Sequence, residues 1–353
     1  MGVFFLVLSI FLVLLSLLPF VPNQHWVFRV PEFLSLQLLF LHMTAIVGLG
    51  IFTEVNTLFW VVFLLQLALI IYHFYLFFRY TRFYKKRGQD ISDLKGVKII
   101  SANIYQFNKE FERFNKFIRK EDPDIFLTIE SNSDWEKAMR VHEEDYPHTK
   151  KITLENTYGM HLYSKIPFEE ITVHYFVADD VPSIEVHFKN ENDEDFAVFF
   201  VHPPPPSPTE EANSKERDGD LLCVAKKVKE FDKPTLVIGD FNTVAWSNIS
   251  KLFRKNSGLI DGRHGRGILA SFHAKYWFFR APLDLVFHSP NMFLKELNVK
   301  ENVGSDHFPI CCILCIDRSD DSQKDEVEEI SGNENEETEE IIQEGKEEES
   351  EKR

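Results

Sequence analysis

Residues 234–242 read Pro-Thr-Leu-Val-Ile-Gly-Asp-Phe-Asn and predict a short buried strand that ends in two polar side chains. The apolar run at 236–238 is typical of a strand covered on both faces, and Gly239 marks its end. Asp240 and Asn242 are two positions apart, so an extended backbone places their side chains on the same side. Taken alone, the pair has an alternative role in an Asx-turn that closes the strand.

Polar residues stand at or near the ends of other predicted strands as well. Residues 97–104 and 124–130 predict two buried strands, separated by a helix, that end near Asn103 and at Glu130. Later apolar runs lead to further residues of the same kind. The full set is Asn103, Glu130, His202, Asp240, Asn242, Asp284, Asp306 and His307. If the first two strands are neighbours in a sheet, Asn103 and Glu130 meet at one rim, and the whole set of strand-end residues indicates more than isolated turn residues.

The acidic character of the chain belongs to its end. The net charge is −16, and residues 319–353, with 16 acidic and 4 basic residues, carry −12 of it. This segment has too little apolar surface to fold, which predicts a disordered acidic tail. The four cysteines, Cys223, Cys311, Cys312 and Cys315, are interpreted as buried free thiols because neighbouring positions on a strand point to opposite faces.

Three apolar stretches open the chain, at residues 3–21, 33–52 and 58–78. Each has the length of about 20 residues that a helix needs to cross hydrocarbon. Residues 1–78 are therefore predicted to form a three-span transmembrane region. This predicts a multi-pass protein of the inner, or cytoplasmic, membrane.

Basic residues follow the third stretch in a predicted juxtamembrane linker at 79–95. They are Arg79, Arg82, Lys85, Lys86 and Arg87. The positive-inside rule favours the cytoplasm for everything after this point. Binding of the same cations to lipid headgroups outside the cytoplasm is the alternative. The side of the membrane therefore stays open, with charge favouring the cytoplasm.

The strand-end residues suit phosphate chemistry. Glu130 and Asn103 offer the oxygen ligands that Mg²⁺ or Mn²⁺ prefers. Asp284 can orient and charge His307, while His202 supplies a second imidazole. Arg217, Arg263 and Arg266 are weaker candidates for phosphate contact, and a solvated surface position is favoured for them. Trp246 and the aromatic run at 276–279 are candidates for lipid contact near the rim. For the run at 276–279, a buried core cluster is favoured over lipid contact.

The order and spacing of these motifs resemble the endonuclease/exonuclease/phosphatase superfamily over residues 96–317. The matching pieces are Asn103, TIE at 128–130, VHPPPP at 201–206, GDFN at 239–242, LDLVF at 283–287 and GSDHFPI at 304–310. With its three leading spans, the chain looks most like the membrane-anchored bacterial branch, which includes a vancomycin-resistance-associated group. Two departures, Ile129 where the family often has Gln and Leu283-Asp-Leu285 for its usual IDH or IDY, remove no presumed catalytic group.

The resemblance implies a fold and a set of roles. The fold is a four-layer α/β sandwich, with two packed β-sheets flanked by helices, over residues 96–318. Glu130 and Asn103, with Asp306 nearby, are implied to bind the metal, and Asp240 to align or deprotonate the attacking water. Asn242 and His202 are implied to hold phosphate oxygens. His307, polarised by Asp284, is implied to stabilise the transition state or to transfer the proton.

The favoured function is a membrane-anchored, divalent-metal-dependent phosphoesterase with a lipid-linked substrate. About 18 residues separate the last span from the first strand, which keeps the site near the bilayer. Membrane lipids and the phosphoester substrate are the expected partners, and no obligate protein partner is predicted. A nuclease is the first alternative, although a strongly basic surface is lacking. A non-catalytic membrane scaffold is the second.

Overall fold

The computed structural model describes residues 1–84, 91, 94–207 and 210–348. Its helices are α1 (Gly2–Leu17), α2 (Trp26–Phe33), α3 (Ser35–Phe52), α4 (Thr57–Phe78), α5 (Phe111–Glu121), α6 (Ser133–Met139), α7 (Lys215–Lys229), α8 (Asn248–Ser257) and α9 (Gly332–Glu347). Its strands are β1 (Val97–Asn103), β2 (Ile125–Ile129), β3 (His148–Ile152), β4 (Met160–Ser164), β5 (Phe168–His174), β6 (Ser183–Lys189), β7 (Asp195–Val201), β8 (Thr235–Asp240), β9 (Ile260–Asp261), β10 (Asp284–His288), β11 (Met292–Val299) and β12 (Ile310–Ile316).

The strands form two mixed sheets. The first has the order β11-β12-β1-β2-β4-β3 and the second the order β5-β6-β7-β8-β10-β9. In each sheet one central pair is parallel, β1 with β2 and β7 with β8. A parallel connection needs a crossover, and α5 and α7 supply it. The carboxyl ends of β1 and β2, and those of β7 and β8, are thereby brought side by side.

The two sheets pack face to face, with helices on the outside. Apolar side chains from both sheets share one buried cluster, including Ile99 and Leu127 from the first and Val198 and Ile238 from the second. Helices α5 and α6 cover the outer face of the first sheet, and α7 and α8 cover that of the second. The predicted four-layer α/β sandwich is confirmed.

Three helices at the start of the chain are long and apolar enough to cross a membrane. These are α1, α3 and α4, here called the apolar helices, and the candidate spans are Gly2–Phe20, Ser35–Phe52 and Thr57–Phe78. A bond of 2.9 Å between Ser16 Oγ and His42 Nε2 joins α1 to α3. Thr53 Oγ1 donates to the carbonyl oxygen of Gly2, which brings together the ends of α1 and α3 that lie away from the α/β domain.

The apolar helices pack against the second sheet's helix layer. The ring of Phe77 meets that of Trp246 edge-on at 4.9 Å, and Trp246 Nε1 donates to the carbonyl oxygen of Glu32 at 2.9 Å. Trp246 is 5% exposed, so the expectation that it would touch lipid at the rim is wrong. The predicted linker begins against the same domain, because Gly265 N donates to the carbonyl oxygen of Arg79. Its basic residues 85–87 lie outside the described residues.

The acidic end of the chain is folded up to residue 348, contrary to the predicted disordered tail. Helix α9 crosses α7 where two glycines face each other: a Cβ on Gly345 would lie 3.1 Å from Cα of Gly219. Ile342 and Thr338 of α9 are buried, and Thr338 Oγ1 accepts from Asn256 of α8. Lys226 of α7 and Lys255 of α8 pair with glutamates of α9. The tail folds because α7 and α8 supply the apolar surface and the positive charge that its own sequence lacks.

Candidate active site

Both sheets contribute to one polar site at their strand ends. Asn103 ends β1, and Glu130 directly follows β2, its parallel neighbour. Asp240 ends β8, and Asp284 begins β10, so the two carboxylates are partners in the antiparallel register. Asn103 Nδ2 donates to Asp240 Oδ2 at 3.1 Å and thus joins the first sheet to the second.

Five of the predicted residues form a continuous line of polar contacts. Asn103 Nδ2 also donates to Glu130 Oε1 at 2.8 Å. On the other side of Asp240, its Oδ2 lies 3.5 Å from Nε2 of His307. His307 Nδ1 is 2.9 Å from Oδ2 of Asp284. The line therefore runs from Glu130 through Asn103, Asp240 and His307 to Asp284.

The backbone holds the site residues in sparsely populated conformations. Glu130 has φ +65° and Asn242 has φ +49°, both in the left-handed region. Such strain persists where the surrounding structure fixes it, and it concentrates at functional sites. At Gly239, φ is +155° and a Cβ would lie 2.1 Å from the carbonyl oxygen of Val201. Glycine is therefore required for β7 and β8 to approach each other just before Asp240.

Two buried arginines hold the strand ends in place, a role that sequence reasoning missed. Arg217 is 1% exposed, pairs with Asp218, and donates from Nη1 to the carbonyl oxygen of Asn242 at 2.9 Å. Arg263 is fully buried, and its Nη2 donates to the carbonyl oxygen of Asp284. The favoured solvated position is therefore wrong for both, and both guanidiniums are engaged with backbone. Each arginine is far along the chain from the residue it holds, and no local sequence pattern links the two. These contacts therefore could not be predicted from the sequence.

Arg266 is engaged in the same way as these two arginines. Its guanidinium donates to the carbonyl oxygens of Gly262 and Leu294 at 2.9 and 2.7 Å.

Two serines also support the site from outside the predicted set. Ser271 Oγ accepts from the backbone N–H of Asp284, and Ser305 Oγ accepts from that of His307.

The remaining predicted residues border this line. His202 is buried beside Tyr158, with ring centroids 5.5 Å apart, and its Nδ1 has no hydrogen-bond partner among the described residues. Asn242 Nδ2 donates to the carbonyl oxygen of Pro203 at 2.9 Å, so its amide fastens the proline loop. Asp306 accepts from Ser305 Oγ at 3.3 Å.

Burial and neighbouring charges together shift three pKa values in the site. Burial raises the pKa of Glu130 to about 7, and the charge of Asp306 adds to this effect. Burial alone would lower the pKa of His307, but the charges of Asp240 and Asp284 outweigh it and raise the value to about 10. Burial lowers the pKa of His202 to about 4. The site thus holds His307 as a cation and His202 as a neutral imidazole at neutral pH.

The donor set fits a divalent cation. The charges of Asp240, Asp284 and Asp306 act on His307, and the charge of His307 acts on Glu130. The buried Oδ1 of Asp284 has no hydrogen-bond partner within the described part of the chain. Ligand atoms of Asp240, Asp284 and His307 lie within 4.8 Å of one another. However, Nδ1 of His307 is committed to Asp284, and a cationic imidazole is no ligand. Glu130 with Asp306 is the better pair, since Mg²⁺ and Mn²⁺ prefer carboxylate oxygens.

Asn103 presents its amide nitrogen to this site. Its Nδ2 faces two carboxylates, and its Oδ1 accepts from the backbone N–H of Tyr105 at 3.0 Å. The other oxygen of Glu130 accepts from the backbone N–H of Gln106. In this arrangement Asn103 positions the carboxylates, and its role as a metal ligand stays a prediction.

Comparisons with solved structures show the same fold. They include TDP2 of D. rerio complexed with a single-strand DNA product (17% identity, 62% of this chain and 98% of that one, TM-score 0.52). The human Nocturnin catalytic domain with bound sulfate is 16% identical over 67% of this chain and 99% of its own, with a TM-score of 0.52. The mannosyl-6-phosphatase of Bacteroides thetaiotaomicron is 18% identical over 62% of this chain and 100% of its own, with a TM-score of 0.50.

Comparison of sequences gives the family. A search of curated proteins finds no significant match. The model of the Endonuclease/Exonuclease/phosphatase family matches residues 100–307, a range that holds all eight predicted site residues. The chain belongs to the endonuclease/exonuclease/phosphatase family.

Proposed function

We propose that this protein is a membrane-anchored, divalent-metal-dependent phosphoesterase that hydrolyses a lipid-linked phosphoester. The observation that carries the proposal is the line of contacts from Glu130 to Asp284, which places the carboxylate of Asp240 beside a cationic imidazole. Phosphoester hydrolysis needs both: a group that takes a proton from water, and fixed positive charge where negative charge develops on the phosphoryl oxygens.

The roles follow from the charge state of each group. Asp240 accepts a proton from the attacking water as its oxygen bonds to phosphorus and the bond to the leaving group breaks. His307, held cationic by Asp240 and Asp284, donates from Nε2 to a phosphoryl oxygen and stabilises the negative charge there. Neutral His202 offers a hydrogen bond to a second oxygen. Glu130 and Asp306 would hold the divalent cation, which supplies further charge neutralisation at the phosphoryl group.

The contacts between the apolar helices and the α/β domain support a lipid-linked substrate. The apolar helices share a buried cluster with the second sheet's helix layer, in which Phe77 and Tyr80 pack beside Trp246. The α/β domain is therefore fixed at the end of the apolar helices. Fixing an enzyme at a bilayer surface raises the effective concentration of membrane-borne substrates and leaves that of soluble ones unchanged. The same anchoring favours the membrane-anchored branch of the family.

A substrate panel tests this proposal. The full-length protein, purified in detergent, is assayed with bis(p-nitrophenyl) phosphate, a headgroup-labelled phospholipid, a polyprenyl phosphate and plasmid DNA, with Mg²⁺ or Mn²⁺ and with EDTA. We expect metal-dependent hydrolysis, with the largest kcat/KM for a lipid phosphoester in mixed micelles. Efficient cleavage of DNA without turnover of any lipid would instead establish a nuclease. Hydrolysis that is equally fast in EDTA would contradict the metal requirement.

A further inference from the structure

Four consecutive aromatic residues, here called the aromatic turn, are exposed beside the active site. The sequence favoured a place for them in the core, but Tyr276, Trp277, Phe278 and Phe279 are 52%, 77%, 47% and 50% exposed. Trp277–Phe279 forms one turn of 3-10 helix, which displays the rings together. A contiguous exposed apolar patch of this kind marks a surface that binds either a membrane or another protein.

The aromatic turn lies at the depth where the apolar helices meet the α/β domain. Gln37 Nε2, in the first turn of α3, donates to the carbonyl oxygen of Phe278 at 2.8 Å. That end of α3 lies at the α/β domain, because the carbonyl oxygen of Glu32, just before α3, accepts from Trp246 Nε1. Tryptophan and tyrosine are enriched at this level in membrane proteins, where one side of the ring is apolar and the other is hydrated.

Cations flank the aromatic turn on both sides. Lys275 precedes it and Arg280 follows it, and both are exposed. The guanidinium of Arg280 lies 4.9 Å from the ring centroid of Phe308, so it is held at the base of the turn. Aromatic rings bordered by basic side chains are the composition that binds the interface of a bilayer containing anionic lipids.

The segment that carries the aromatic turn is built into the active site. The ring centroids of Phe272 and His307 are 4.9 Å apart, and the backbone N–H of Phe308 donates to the carbonyl oxygen of Ser271 at 2.9 Å. Ala274 N donates to the carbonyl oxygen of Asp306 at 2.6 Å. The chain on the near side of the turn is thus bonded to both Asp306 and the residue after His307. A surface that binds the aromatic turn is therefore held next to the reacting groups.

We propose that the aromatic turn enters the headgroup region of the bilayer and brings the active site against the membrane surface. The occupant of this patch is lipid of the leaflet on which the α/β domain lies. The consequence for catalysis rests on the proposed function: a phosphoester at headgroup depth reaches His307 without leaving the bilayer. The depth of the turn itself is independent of that function.

Lipid contact is measured with an environment-sensitive probe. Trp277→Cys, in the full-length protein reconstituted in vesicles, is labelled with NBD maleimide, and quenching by phospholipid brominated near the headgroup is recorded. Val141→Cys is the matched control, because Val141 is 50% exposed and lies over the first sheet, whose helix-layer cluster contains no residue of the apolar helices. The unsubstituted protein supplies the blank, since Cys311, Cys312 and Cys315 are buried and Cys223 is partly buried.

We expect brominated lipid to quench the probe at position 277 at least about threefold more than the probe at position 141. Equal quenching at the two positions overturns the proposal. So does a blue shift at 277 without lipid quenching, which would show that a protein or a second copy of the chain covers the turn.

Kinetics test the link to the active site. The ratio of kcat/KM for a lipid phosphoester in vesicles to kcat/KM for bis(p-nitrophenyl) phosphate is compared between wild type and Trp277→Ala/Phe278→Ala. We expect this ratio to fall at least about fivefold, because the variant lacks the two rings that insert into the bilayer. An unchanged ratio, in a variant with the wild-type Tm, overturns the link. A wild type that hydrolyses neither substrate contradicts the proposed function, while the quenching experiment still decides the position of the turn.

Discussion

Asp240 and Asp284 face each other as register partners of β8 and β10, and the imidazole of His307 contacts both carboxylates. The two contacts differ: Asp284 is hydrogen-bonded to Nδ1 at 2.9 Å, whereas Asp240 lies 3.5 Å from Nε2. The hydrogen bond at Nδ1 therefore fixes the ring, and Nε2 points toward Asp240 and the site. In the proposed mechanism, Asp284 accordingly positions and charges the ring, and Asp240 takes part in the reaction itself.

Asp284→Asn separates the charge of this carboxylate from its shape. The amide fills the same space but removes the negative charge that helps to raise the pKa of His307, so that pKa should fall. We expect kcat to drop at least about 100-fold, the scale of losing a charged group in the transition state. The pKa is read from the ring signals of ¹³C-labelled histidine in metal-free protein, with His307→Gln to assign them. An unchanged His307 pKa would show that Asp284 does not charge the ring.

Metal binding should weaken as the pH falls through about 7. Burial raises the pKa of Glu130 from its ordinary value of 4.5 to about 7. In the metal-free protein the free energy of unfolding therefore falls as the pH rises from 4.5 to about 7, because the unfolded chain releases this proton first. A cation at Glu130 offsets that effect, and protons compete with it below about 7. We expect Mn²⁺ to raise Tm more at pH 8 than at pH 5.5.

Glu130→Gln should lose this metal-induced rise in Tm at both pH values, while Glu169→Gln, on the exposed face of β5, should keep it. Differential scanning fluorimetry in detergent, with EDTA as the reference, gives the shifts. If Glu130→Gln responds to Mn²⁺ as the wild type does, the cation binds elsewhere.

The strand ends were predictable because each is encoded locally. An apolar run followed by Asn103, Glu130 or Asp240 predicts both the strand and where it stops, and the observed ends at Asn103, Ile129 and Asp240 lie at or next to the predicted ones. The contacts between them were not encoded locally. The bond from Asn103 to Asp240 joins two sheets, and the buried positions of Arg217 and Arg263 depend on carbonyl groups that only the folded chain brings near.

The end of the chain shows the opposite case. Helix α9 has a high density of glutamate and only two adjacent apolar residues, Ile341 and Ile342, so its own pattern predicts disorder. Its partners lie more than a hundred residues earlier on α7, where Gly219 allows the close crossing. The aromatic turn was misjudged for a related reason: an apolar run indicates burial, but sequence alone does not say whether protein or lipid covers it.

Replacing Gly345 with alanine tests the docking of α9. The added Cβ would lie 2.7 Å from the carbonyl oxygen of Lys215, whereas one on Gly332 would meet nothing within 4 Å. We expect Gly345→Ala to lower the free energy of unfolding by about 1–3 kcal/mol through overpacking. The matched Gly332→Ala should change it by less than about 1 kcal/mol. Chemical denaturation followed by far-UV circular dichroism gives both values. Equal effects of the two substitutions would mean that α9 does not pack on α7.

The apolar helices predict that the α/β domain and the loop after α3 lie on opposite sides of the membrane. Val55, in that loop, is 67% exposed, and Asn192, in the turn between β6 and β7, is also exposed. The basic residues after α4 favour the cytoplasm for Asn192. In intact cells we expect an impermeant maleimide to label Val55→Cys and to spare Asn192→Cys until the cells are opened. The reverse pattern would put the active site outside the cytoplasm, and labelling of both would contradict three spans.

Asp240→Asn tests whether the strand-end site hydrolyses phosphoesters. The measurement is kcat/KM for bis(p-nitrophenyl) phosphate with Mn²⁺, for the wild type, Asp240→Asn and the control Asp193→Asn. Asp193 is exposed in the β6–β7 turn with φ +64°, a conformation that asparagine adopts readily. We expect the wild type and Asp193→Asn to turn over the substrate at similar rates. Asp240→Asn should lose at least about 100-fold while keeping the wild-type Tm. Wild-type turnover by Asp240→Asn would contradict the account.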